Sequence, residues 1–138
     1  MRLPLARLMI PALQDVRLTN SSWLMVPVPL HPRKKRERRY NQSTELARTL
    51  ARLRGLTWCD ALRRIRYTDS QAGLDRDGRL KNLKGAFIVV PRAVRQLTGR
   101  DILLIDDVLT TGATAHECAL TLKKCGAGKV AVLTVARG

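Results

Sequence analysis

The apolar residues of this chain fall into short runs, broken by polar stretches and by Gly and Pro. Leu3 to Leu13 spaces its leucines as one amphipathic helix, disturbed near its end by Pro11. Trp23-Leu24-Met25-Val26-Pro27-Val28-Pro29 is a continuous apolar run. It reads as a buried strand whose prolines mark its end. Residues 30–40 form a polar, basic loop. Asn41 is an N-cap residue, and the 3.6-residue spacing of Leu46, Ala47, Leu50 and Leu53 predicts a helix to about Leu53, stopped by Gly55. Leu62 to Arg66 predicts a short strand. Tyr67 to Lys84 carries many charges and little periodicity, and reads as a long loop of the kind that is usually functional or disordered. Ala86 to Val90 predicts a strand, and Pro91 a turn or short helix. Ile102 to Ile105 predicts a strand, Thr114 to Cys125 a helix closed by Gly126, and Val130 to Val135 a last strand. Strands alternating with helices predict an α/β fold with a mostly parallel sheet of about five strands flanked by helices.

The chemistry concentrates after the strand at 102–105. Asp106 and Asp107 follow its carboxyl end, then Val108-Leu109-Thr110-Thr111-Gly112-Ala113-Thr114 leads into a helix. Parallel sheets bind ligands just outside the carboxyl ends of their strands, where the strand order reverses. The expected place is between the first strand and the 102–105 strand. A small-residue loop opening a helix offers backbone N–H groups and a positive dipole end to a phosphate. The two carboxylates suit hydroxyl donors, such as those of a ribose. Together they describe a site for a phosphorylated ribose.

Size and charge narrow this further. A chain of 138 residues predicts one domain, 1–138, with a single core. Aromatics are only 4% of the residues, so aliphatics and alanine must fill that core. No apolar run approaches the roughly 18 residues of a membrane span. Three cysteines without a Cys-x-x-Cys pair argue against a zinc ribbon or a disulfide framework, and a cytoplasmic location is expected. The net charge is +15, and residues 1–66 hold fifteen Lys/Arg against four Asp/Glu. Such a field attracts polyanions. Six of the seven residues 33–39 are basic, in a loop between a strand and a helix amino terminus.

The segment Leu103 to Thr114 matches, at every defined position, the PRPP-binding motif of type I phosphoribosyltransferases, and the chain is similar to that family. Val26-Pro27-Val28-Pro29-Leu30-His31, the basic stretch, Asn41-Gln42 and Glu45-Leu46-Ala47 resemble its ComF/GntX branch (competence protein F, amidophosphoribosyltransferase-like). Arg66, Thr68, Gln71, Leu74, Arg79, Asn82, Gly85, Ala86 and Phe87 keep the order of that branch's middle motif. Where the branch usually has Arg-Gly-Phe-Asn-Gln, this chain has Arg38-Arg39-Tyr40-Asn41-Gln42, which puts a side chain in place of a glycine.

The resemblance implies a type I phosphoribosyltransferase-like fold and a site for PRPP with Mg²⁺ held mainly by PRPP itself. Asp106 and Asp107 would hold the ribose 2′- and 3′-hydroxyls. Thr110, Thr111, Gly112, Ala113 and Thr114 would wrap the 5′-phosphate. The loop with His31, Arg33, Arg36, Arg38, Arg39 and Asn41 would face pyrophosphate. A flexible loop with Gln71, Arg76, Arg79, Lys81 and Asn82 would close over the ligand. The expected reaction is phosphoribosyl transfer to a nitrogen nucleophile, with a PRPP or nucleotide sensor and a DNA-uptake protein binding single-stranded DNA as alternatives. PRPP and a nitrogen acceptor are the expected partners, with DNA and a second copy in a homodimer as further options.

Overall fold

The computed structural model describes residues 23–29, 42–66, 78, 81, 83–109 and 112–137, without the side chains of 42, 107–109 and 135–137. Strand β1 is Leu24–Pro27, helix α1 Gln42–Arg54, β2 Thr57–Trp58, β3 Leu62–Arg64 and β4 Phe87–Val89. A 3₁₀ turn, Pro91–Ala93, leads into the short helix α2, Val94–Leu97. Then come β5 Ile102–Leu109, α3 Ala113–Lys124 and β6 Val130–Arg137.

Four strands make a parallel sheet in the order β2-β1-β5-β6. The chain moves outward from β1 to β2 on one side and from β5 to β6 on the other. The order therefore reverses between β1 and β5, where the sequence places it. The count differs from five because two expected strands, β3 and β4, leave the main sheet, while β2, which the sequence pattern does not show, joins it. They pair antiparallel as a separate two-stranded sheet, Leu62 opposite Val89 and Arg64 opposite Phe87. The Arg64 guanidinium lies 5.6 Å from the centre of the Phe87 ring, a cross-strand contact that holds this register.

Side chains alternate along a strand, so β1 and β5 each feed two cores. Met25, Leu103 and Ile105 pack against Leu46, Ala47, Leu50 and Ala51 of α1. Leu24, Val26, Ile102 and Leu104 pack on the other face against Leu97 of α2, Cys118 and Leu122 of α3, and Leu62 and Phe87 of the small sheet. Leu53, expected on the buried face of α1, is 41% exposed, and Ala51 takes its place. The helix ends within a residue of Leu53, so that last turn runs past the sheet. Gly55 follows at φ +67°, the left-handed conformation that stops it.

Pro27 is the last residue of β1, so the strand ends where its prolines begin. Leu24 donates its N–H to the Asp101 carbonyl just ahead of β5, and Val28 to the Ile105 carbonyl within it. Alternation turns the nitrogen of residue 27 the other way, toward β2, and β2 has already ended at Trp58. The missing donor therefore has no acceptor to lose. β1 stays paired with β5 only as far as Ile105, whereas β6 accompanies β5 to Leu109.

Candidate functional site

β5 is longer than its apolar run. The strand continues through Asp106, Asp107, Val108 and Leu109, because β6 supplies a hydrogen-bonding partner for that half. The acidic pair thus lies within the strand and not in the turn after it. Asp106 is half-buried on the face of Ile102 and Leu104. The chain then turns into α3, whose amino terminus sits at the same end of the sheet. Gly112 opens the helix at φ 81°, ψ 2°, a left-handed geometry that disfavours a Cβ. Its carbonyl accepts the His116 N–H at 2.8 Å. Ala113 is buried, Thr114 half-buried and His116 exposed. The first turn of α3 carries no acidic residue, so nothing in it opposes an anion at the helix amino terminus.

Two buried polar groups adjoin this helix start, and the sequence pattern did not single out their role. Glu117 is 7% exposed, and its carboxylate accepts the Gly85 N–H at 3.0 Å. This bond ties α3 to the turn before β4. The Cys118 thiol is fully buried next door. Burial pushes its pKa up strongly, and the negative charges of Asp106 and Glu117 push it further. A raised pKa keeps it a neutral thiol, consistent with packing and not with nucleophilic chemistry. The signal for Glu117 was its place on the inward face of α3, one turn past Ala113.

Of the residues expected at the site, the structure brings together Asp106, Gly112, Ala113 and Thr114 at the carboxyl end of β5. Lys81 is described and exposed, and its carbonyl accepts the Lys84 N–H at 3.3 Å. Thr110, Thr111, His31, Arg33, Arg36, Arg38, Arg39, Asn41, Gln71, Arg76, Arg79 and Asn82, and the Asp107 side chain, lie outside the described residues. Among the described residues, no three His, Cys, Asp or Glu side chains gather to hold a metal. No described helix is long and apolar enough to cross a membrane.

The fold is similar to that of an allosteric regulatory enzyme of purine biosynthesis, with a TM-score of 0.62 and 18% identity over 97% of this chain and 25% of that one. A glutamine phosphoribosylpyrophosphate amidotransferase from B. subtilis gives 0.60 at 16% identity, over 97% of this chain and 26% of that one. No family model matches. In sequence the chain is 34% identical to competence protein F of Haemophilus influenzae, across 96% of this chain and 59% of that protein. The chain belongs to the competence protein F branch of the type I phosphoribosyltransferase-like proteins. It is also 36% identical to the DNA utilization protein YhgH of Escherichia coli K12, across 96% of this chain and 59% of that protein. The chain spans about three-fifths of the length of these curated relatives.

Proposed function

We propose that the chain binds PRPP at the carboxyl ends of β1 and β5 and transfers its phosphoribosyl group to a nitrogen nucleophile. The observation that carries this reading is the placement of Asp106 and the left-handed Gly112 at the reversal of strand order, one on the strand and one opening the helix. Asp106 and Asp107 accept hydrogen bonds from the ribose hydroxyls, while Thr110 to Thr114 and the start of α3 hold the 5′-phosphate. The bond from C1′ to the pyrophosphate oxygen breaks, the pyrophosphate keeps the electron pair, and the nitrogen acceptor forms the new bond and loses a proton. Arg33, Arg36, Arg38 and Arg39, joined by Arg76, Arg79 and Lys81, neutralise the departing pyrophosphate, while His31, Asn41, Gln71 and Asn82 offer it hydrogen-bond donors. Mg²⁺, bound to the oxygens of PRPP, would neutralise charge on the same leaving group, and Asp106 is a carboxylate of the type it takes. Rate enhancement rests on positioning and charge, without a covalent enzyme intermediate.

The test is pyrophosphate release from PRPP and Mg²⁺ across nucleobases, ammonia and glutamine. Release with one acceptor, lost on changing Asp106 and Asp107 to Asn, is the expected result. PRPP binding without release in any combination would favour a sensor. A role in DNA utilization is the second reading, favoured by the names of the relatives, with DNA held by the Arg33–Arg39 cluster.

A further inference from the structure

We propose that the amino-terminal end of the sheet, opposite the ligand site, is a surface for the phosphate backbone of nucleic acid. α1 and α3 connect parallel strands and so run against them, and α2 leads into the start of β5, so all three finish at this end. Their last turns carry Arg52 and Arg54, Arg95, and Lys123 and Lys124. Arg100 and Lys129 stand just ahead of β5 and β6. Hydrogen bonds join these pieces into one surface. Arg100 donates to the Thr57 hydroxyl at the start of β2, at 3.2 Å, and its carbonyl accepts the Gly128 N–H at 2.7 Å. Gly99 N–H reaches the Gly126 carbonyl at 2.8 Å, tying the end of α2 to the end of α3.

Seven cations therefore share this end with one described acid. That acid, Asp101, accepts the Lys129 backbone N–H at 2.9 Å. Arg52, Arg54, Arg95, Lys123, Lys124 and Lys129 are exposed and make no ion pair among the described residues. Helix dipoles explain part of the pattern, since cations favour helix carboxyl ends. They do not explain Arg100 and Lys129, which lie on no helix. The cations are spread over the width of four strands, roughly 14 Å. A spread array fits an extended polyanion better than a single small anion. Contacts from such an array run to phosphates and carry no sequence preference. This surface is separate from the PRPP reading and does not depend on it.

The test is DNA binding followed by fluorescence anisotropy over a salt series, using the full chain and a mixed-sequence single-stranded oligonucleotide. Replacing Arg54, Lys123, Lys124 and Lys129 by Gln is expected to weaken binding more than tenfold. The slope of log K against log salt should become shallower by about 2.8, at about 0.7 per lost contact. The milder Lys124→Gln/Lys129→Gln pair, with an unchanged melting temperature, should lower it by about 1.4. Saturating PRPP should leave DNA affinity unchanged, because the two sites are at opposite ends. Unchanged affinity and slope in both variants would overturn the proposal. So would loss of binding only on changing Arg36, Arg38 and Arg39, together with competition by PRPP. Preference for phosphatidylserine vesicles over DNA would overturn it as well.

Discussion

On the α1 face of the sheet the contact between helix and strands is apolar throughout, and the buried polar side chains of α1 are Ser43 and Thr49. The Thr49 hydroxyl donates to the Glu45 carbonyl at 2.9 Å, within its own helix. On the opposite face Glu117 reaches across to a different element, and Cys118 lies close enough to Asp106 to feel its charge. Among the described residues, the packing on the α1 face is chiefly apolar. The other mixes area with polar ties between elements, and it is the face that bears the described site acid. Burial without polar links tolerates small shifts, whereas a carboxylate bonded to one N–H fixes a relative position.

The largest effect should come from the apolar face. Leu50→Ala removes a fully buried side chain and should cost about 2–5 kcal/mol in urea unfolding. A cost under about 1 kcal/mol would show that the helix settles into the gap, and that this face is looser than described. Next comes the site itself. Changing Asp106 and Asp107 together to Asn weakens two charged hydrogen bonds, each worth about 1.5–3 kcal/mol. Calorimetric titration should find PRPP affinity lowered about a hundredfold in a folded protein. Unchanged affinity would remove the ribose assignment and leave the polar face without its proposed role.

Glu117 sharpens the contrast. Glu117→Leu strands the Gly85 N–H and should cost about 1–3 kcal/mol, while Glu117→Gln keeps an acceptor oxygen and should cost less. Equal losses for the two variants would mean that the hydrogen bond is not what ties α3 to β4. The smallest effect is a pH dependence. The folded-state pKa of Cys118 is raised, so its contribution is intact below the unfolded thiol value and shrinks as pH rises above it. Cys59, also raised by partial burial, acts in the same direction. In urea unfolding above that value, stability should fall steadily as pH rises. The decline should be shallower in Cys118→Ala, and an identical pH profile would argue that the thiol is more open than its burial indicates.

Much of this arrangement is legible in the residues, because the relevant signals are local. The spacing of Leu46, Ala47 and Leu50 marks the buried face of α1, and Gly126 closes α3 within a residue of where the pattern ends. Thr110-Thr111-Gly112 before a helix marks the turn at the strand end. What escaped is set at a distance. Leu62–Arg64 and Phe87–Val89 are too short to show which sheet they join, and only their mutual pairing answers that. The extension of β5 through two acids runs against strand propensity and exists because β6 lies alongside it. Glu117 looks like an ordinary helix carboxylate until the fold brings Gly85 to it from 32 positions away.

The unequal partners of β5 leave the sheet with a step. Among the described strands, β5 has neighbours on both sides for four residues and β6 alone for the next four. At roughly 3.3 Å per residue the step is about 13 Å tall and one strand wide. It is a shelf on the scale of a single small molecule, far below that of a polymer. Its back wall is a hydrogen-bonded strand that gives little, so any adjustment to an occupant must come from what closes the front.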